Sequence, residues 1–284
     1  MGVQVEKSTK RFAAWAAALL ITLFVASAQR ITGPSYPLKG KETIGNETIV
    51  YRFNRSAVSG TALKVSVSAG NISGSVLHFR RLNSDDLWAD VPMEKEGEGV
   101  FSASVPSQPP AGKVEYKVSV IADNAVFILN QGNPVVVRFR GAVPTGFLVL
   151  HIFLMFSGML FASRCLFCGR DTLRFKKGMV HMTTAQLFLG GLVFGPIVQK
   201  YAFNRFWTGF PFGTDMTDNK MLIIVVIWLA ALFTYSRKKT VLIVASLLTF
   251  LIYLVPHSVL GSELDFKTGQ HKNVFIQDHI SGER

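Results

Sequence analysis

Three histidines lie within or beside apolar runs of this chain: His151, His181 and His257. An ionisable side chain inside a spanning helix is costly, and imidazole serves both as a proton carrier and as a common metal ligand. His151 falls six residues into the run that starts at Thr145, about 9 Å along a helix rising ~1.5 Å per residue. The last apolar run holds sixteen residues from Thr240 to Val255, short of the ~20 that a bilayer requires. Continuing it through Leu260, with a kink at Pro256, repairs the length and brings His257 to a similar depth. His151 and His257 are therefore the candidate cofactor-binding residues, at similar depth on helices entering the outer half of the bundle, as bis-histidine ligation of haem b, or a single metal, requires. The competing reading has His151 hydrogen-bonded to a neighbouring helix and His257 resting at the interface. His181 belongs near the opposite end of its helix and cannot join the pair.

Other residue pairs carry weaker chemistry. Cys165-Leu-Phe-Cys168 is a C-x-x-C, but zinc wants four ligands and no second pair follows. A thioredoxin-type motif belongs in a βαβ unit, whereas this one ends an apolar helix. Both cysteines are thus expected to serve as small apolar residues. Asp215 and Asp218 precede an apolar run, where Thr217 or Asp218 is expected to cap the helix start. Gly190, Gly191 and Gly158 permit close helix approach. From Tyr36 to Arg140 the sequence displays no nucleophile–base or metal-ligand cluster, and no catalytic residue is assigned.

These residues are positioned by a plan that the stretch Arg164–Gly178 orients. It carries five basic residues against the single acid Asp171, between the apolar runs Thr145–Ser163 and Met179–Val198. Short loops dense in Lys and Arg stay on the cytoplasmic side. Apolar residues make up 49% of the 284 and charged residues only 17%, which excludes an ordinary soluble domain. The net charge of +12 invites a nucleic-acid partner. Residues 1–11, 164–177 and 237–239 alone hold 11 basic and 2 acidic residues, so the basicity is a topology and lipid-headgroup signal. The expected partners are membrane lipids and other membrane subunits, with no nucleic acid.

Residues 1–30 read as an uncleaved, signal-like transmembrane anchor around Phe12–Ala28. Residues 145–260 form an expected four-span bundle, and residues 261–284 a loose outer tail. Between them, residues 36–140 alternate apolar and polar positions in eight short runs: Glu47–Phe53, Ala62–Val67, Ser75–Arg81, Leu87–Met93, Val100–Val105, Lys113–Ile121, Ala125–Leu129 and Val135–Arg140. Turn formers such as Glu96-Gly97-Glu98-Gly99 and Pro109-Pro110-Ala111-Gly112 separate them, the signature of an antiparallel sandwich. Trp88, Pro92-Met93, Gly99-Val-Phe101, Val105-Pro106 and Gly112-Lys-Val-Glu-Tyr116 together resemble immunoglobulin-like and fibronectin type III domains. That resemblance implies architecture, not activity.

The expected fold class is a membrane α-helical bundle of five spans plus an all-β immunoglobulin-like sandwich outside the membrane. The location that follows is a bacterial inner membrane, with the N-terminus cytoplasmic and the sandwich and C-terminus periplasmic. Two functions fit this plan. One is a non-catalytic integral membrane subunit of a larger complex, docking through its sandwich. The alternative is a b-type haem-binding electron carrier ligated by bundle histidines.

Overall fold

The structure is a computed structural model that describes residues 2–45, 47–70, 72–169, 171–238, 240–256, 261 and 263–272, with side chains from residue 8 onward except at 272. The chain divides into two compact units. One comprises Met1–Gly33, Val143–Tyr201 and Arg205–Gly261, and the other Pro34–Ala142, Ala202–Asn204 and Ser262–Arg284.

The first unit is helical. Its elements are α1 (Gly2–Thr32), α2 (Thr145–Cys165), α3 (Leu173–Phe188), a π-helical turn over Leu189–Phe194, α4 (Gly195–Phe203), α5 (Met216–Thr234) and α6 (Val241–Leu254). Four stretches are long and apolar enough to cross a membrane: Ser8–Thr32, Thr145–Cys165, Leu173–Phe203 and Met216–Thr234. The fifth, α6, has 14 residues. Its expected continuation through Pro256 does not occur, because Val255 turns extended at ψ 121°. A residue before proline is pushed out of the helical region by the ring. Residues 257–260 lie outside the described residues.

The outer surface of this unit is apolar, unlike that of a protein in water. Phe12, Phe24, Phe153 and Phe233 stand 62–76% exposed on helix surfaces, and an apolar solvent removes the cost of that. The interior combines large apolar side chains such as Leu187, Ile224, Trp228 and Leu242 with small and hydroxyl-bearing ones. Thr22 and Ser163 hydroxyls lie 3.0 Å apart, Ser246 Oγ donates to Ala162 O at 2.7 Å, and Trp228 Nε1 donates to Thr249 Oγ1 at 2.9 Å. Such contacts between close-packed helices substitute for the hydrophobic drive that lipid cannot supply. Gly190 sits at one of the close approaches: a Cβ there would stand 3.0 Å from both Leu154 Cβ and Met155 Sδ.

The second unit is built from two sheets around one apolar core. The first sheet contains β1 (Leu38–Ile44), β2 (Glu47–Phe53), β4 (Leu63–Ser68), β7 (Glu94–Lys95) and β8 (Val100–Val105), in the order β1-β2-β4-β8-β7. The second runs β3 (Ser56–Val58), β11 (Val135–Arg140), β9 (Lys113–Ala122), β5 (Gly74–Arg81), β6 (Ala89–Pro92), and β10 (Ala125–Ile128) also pairs with β9. Pairing is antiparallel except between β3 and β11. Alternation supplies the core: Ile49, Tyr51 and Phe53 from β2 meet Val114, Tyr116, Val118 and Val120 from β9 and Leu77 from β5. Period-two side chains make each strand contribute one face.

Two differences from the sequence reading stand out. The strand β1 was not anticipated, since Lys39, Gly40 and Lys41 are poor strand formers. It is nevertheless paired with β2 along its whole length, from Leu38 opposite Phe53 to Ile44 opposite Glu47. The expected loose tail also begins as ordered structure. Glu263–Leu264 and His271–Lys272 form a hairpin, and Glu263, 4% exposed, pairs with Lys113 at 2.9 Å. A buried carboxylate requires such a partner, and Lys113 and Asn83 supply it.

Candidate functional site

His151 is half-buried on α2, and its Nδ1 donates to Gly190 O at 2.8 Å. Gly190 lies in the π-helical turn, and its carbonyl accepts both the backbone N–H of Gly195 in the π register and the His151 imidazole. With the proton fixed on Nδ1, Nε2 keeps its lone pair, and the described residues give it no hydrogen-bond partner. An imidazole oriented through one nitrogen presents the other to a metal or haem iron. His257, the expected partner, lies outside the described residues. His181 is exposed on α3 and turns its Nδ1 to Lys177 O, one helical turn back, at 2.7 Å. Among the described residues no three His, Cys, Asp or Glu side chains gather to hold a metal ion.

The carboxylates at the start of α5 divide their work differently from the expectation. Asp215 is the helix cap, accepting from Thr217 N at 2.8 Å and Asp218 N at 3.4 Å. Asp218 is buried and faces away from the helix end. Its Oδ2 accepts from Thr208 N at 2.6 Å, Thr208 Oγ1 at 3.2 Å and Gln199 Nε2 at 3.1 Å. The cap belongs to Asp215 because only the residue before the first turn has its side chain beside the free amides. Asn219 Oδ1 accepts from Phe210 N at 2.7 Å, while Lys220 Nζ donates to Val255 O at 2.6 Å and Pro256 O at 3.3 Å. Every polar group of this cluster is engaged in holding a loop or a helix end, so it is a structural lock.

The basic stretch is also more structured than a solvated loop. Arg164 is 1% exposed, its Nη2 pairs with Asp171 Oδ2 at 2.9 Å, and its guanidinium lies over the Phe175 and Trp15 rings at 4.8 and 5.7 Å. Among the described residues its Nε and Nη1 have no hydrogen-bond partner. Aromatic faces on a guanidinium provide the compensation that water would give elsewhere.

In the β unit the structure assembles a chain that the sequence did not reveal. His78 Nδ1 lies 2.6 Å from Asp90 Oδ1, and its Nε2 lies 2.8 Å from Ser119 Oγ. Alternation places each residue on the outward face of its strand, but only the register, His78 opposite Asp90 and Val76 opposite Ser119, brings them together. The order matches a nucleophile, a base and an orienting acid. The exposure runs the wrong way for that chemistry. Ser119 is 3% exposed while the Asp90 side chain is 63% exposed, whereas a working triad opens its hydroxyl and buries its carboxylate. The chain therefore ties β6, β5 and β9 across their outward face. Trp88 packs beside it, with Arg80 and Lys117 over its ring at 4.7 and 5.1 Å.

Together these elements define a mixed helix-and-sheet protein with four helices able to cross a membrane. No family model and no curated protein matches the chain. Among solved structures it is similar to the crystal structure of a Br derivative of BhCBM56, at 10% identity over 34% of this chain and 97% of that one. The TM-score of 0.26 is too low to carry an argument.

Proposed function

We propose that the protein is a non-catalytic integral membrane subunit of a larger complex, docking through an immunoglobulin-like β unit. The observation that carries this reading is β10. All four of its residues are exposed, with Val126 at 66%, Phe127 at 38% and Ile128 at 47%. Leu87 of the same unit is 90% exposed. A short apolar strand at a sheet edge invites pairing with another chain, and monomeric proteins blunt such edges with charge or cover them. The orientation proposed has the N-terminus in the cytoplasm of a bacterial inner membrane. Five spans then leave the β unit and C-terminus outside, as the basic surplus on three inner segments favours.

A photo-crosslinking residue at position 126 or 127 in the full chain tests the docking reading, followed by gentle detergent extraction. Crosslinks to one defined membrane partner are expected, and Val126→Asp with Phe127→Lys should abolish them. Recovery of a well-folded, uncrosslinked monomer would refute the subunit reading. Reporters fused after Lys239 and at Gly132 test the orientation, with cytoplasmic and external behaviour expected respectively.

A second reading is b-type haem binding: the Nδ1 bond of His151 is the one the competing reading expects, and haem ligation rests on Nε2, for which the described residues offer no hydrogen-bond partner. His151→Ala should then abolish a reducible Soret band, and His181→Ala should leave it. A colourless wild-type protein made where haem is plentiful would refute this reading.

A further inference from the structure

The end of α2 holds a pair of side chains that neither reading uses. Beyond Cys165 the chain continues in tight turns. Leu166 N donates to Ser163 O at 3.2 Å, Phe167 N to Arg164 O at 3.2 Å and Cys168 N to Cys165 O at 3.3 Å. In turns of this pitch, side chains three residues apart eclipse one another. The C-x-x-C spacing thereby brings the two side chains to one side of the turn. A turn closed from the first to the fourth residue keeps its end Cα atoms within ~7 Å. A disulfide spans about 4.4–6.8 Å between Cα atoms, so closing one here asks for little backbone movement.

The surroundings favour reaction over inertness. Both cysteines are free and 0% exposed. Lys176, 7% exposed, donates its Nζ to Gly169 O at 3.2 Å, and the guanidinium of Arg164 is also close. The Cys168 thiol is held below its ordinary range by the neighbouring Cys165 thiol and by these two cations, against burial and the Asp171 charge. A thiolate, not a thiol, is the attacking species. Metal binding is the rival use of two thiols, but the described residues bring no third ligand. Lipid attachment would need an exposed sulfur. Cys168 lies on the short link between α2 and α3, and its neighbours Phe167 and Gly169 are exposed. Opening that link is sufficient for a small reagent to reach it.

We propose that Cys165 and Cys168 form a reversible dithiol–disulfide couple, closed by exchange with a low-molecular-weight disulfide. The Cys168 thiolate attacks one sulfur of that disulfide, a mixed S–S bond forms, and the first small thiol leaves. Cys165 then attacks the Cys168 sulfur, forming the internal S–S bond and expelling the second small thiol. Two electrons pass to the added disulfide, and the two protein thiol protons end on the two thiols released.

The test uses the full chain in detergent, equilibrated across a series of reduced-to-oxidised glutathione ratios. Each sample is quenched in acid, unfolded, treated with N-ethylmaleimide and weighed as the peptide that contains both cysteines. The expected result is a single transition from two maleimide additions to none, with loss of the mass of two hydrogens. Cys165→Ser and Cys168→Ser should each retain a single maleimide or carry one glutathione, never zero additions. Two maleimide additions at every ratio, or stable single-glutathione adducts on the wild-type peptide, would overturn the proposal.

Discussion

Tyr51→Phe probes how the five-stranded sheet of the β unit is secured. The Tyr51 ring is 6% exposed, stacks on Phe53 at 4.5 Å, and covers Gly40 so closely that a Cβ there would lie 2.1 Å from Tyr51 Cζ. Its hydroxyl donates to Glu42 Oε1 at 2.6 Å, an oxygen that also accepts from Asn130 N at 2.8 Å. Burial first, and then the Glu42 hydrogen bond and charge, push the Tyr51 phenol up to about 12. The unfolded phenol titrates near ~10. The folded value is raised, so the stabilisation is complete below pH ~10 and is lost as pH climbs from there through about 12. At ~1.4 kcal/mol per unit, the loss reaches roughly 2 kcal/mol by the upper end of that window. Removing the hydroxyl deletes that slope and costs about 1.5–3 kcal/mol at neutral pH, because the bond is to a charged acceptor. Urea unfolding of residues 34–142 at a series of pH values, followed by circular dichroism, measures both effects. A residual alkaline slope should remain from Tyr116, whose phenol burial also raises. Parallel pH profiles for wild type and Tyr51→Phe would refute the reasoning.

Further outcomes follow from single contacts. Asp215→Ala removes the α5 cap and should cost about 1 kcal/mol, read as earlier thermal loss of helix in detergent. Leu77→Ala, at a fully buried core position, should cost about 2–5 kcal/mol in urea unfolding of the β unit. Gly190→Ala should loosen the α2–α3 contact and raise proteolysis of the detergent-solubilised chain, because the added Cβ meets Leu154 and Met155 at 3.0 Å. Fusing residues 261–272 to the fragment 34–142 should raise its urea midpoint, since Lys113 regains Glu263, and Glu263→Gln should remove most of that gain.

The sequence was most legible where one period dominated. Strands β2, β8 and β11 occupy the residues that alternation marked, because one buried face fixes both length and register. Strand β1 escapes a sequence reading because Lys39 and Lys41 face outward and Gly40 on the inner face has no side chain, so propensity carries no signal while seven backbone pairings do the holding. Helix ends were legible only in part. Proline at 256 was read as a kink, yet its restriction on Val255 ended the helix. Least legible was the Ser119–His78–Asp90 chain. Its members are 12 and 41 residues apart in sequence from His78, and only strand register makes neighbours of them. For His151, sequence identified the residue and not its orienting partner, since a π-helical turn leaves no pattern in residue types.

The amine of Lys220 on the carbonyls beyond α6 has a consequence for the lipid around it. At ~1.5 Å per residue the 14 residues of α6 reach about 21 Å, against a hydrocarbon layer ~30 Å thick. A helix that stops early in hydrocarbon would leave its last carbonyls without donors, at several kcal/mol each. Gln29 Nε2 donates to Tyr253 O at 2.7 Å in the last turn of α6, and Lys220 serves the two carbonyls beyond it, so water need not be drawn inward to do it. In the five-span arrangement proposed above, the remaining shortfall falls on the membrane, which can meet α6 by thinning locally on that side. A bilayer of shorter acyl chains would then suit this face of the bundle, and a thick, sterol-like one would tilt or displace it.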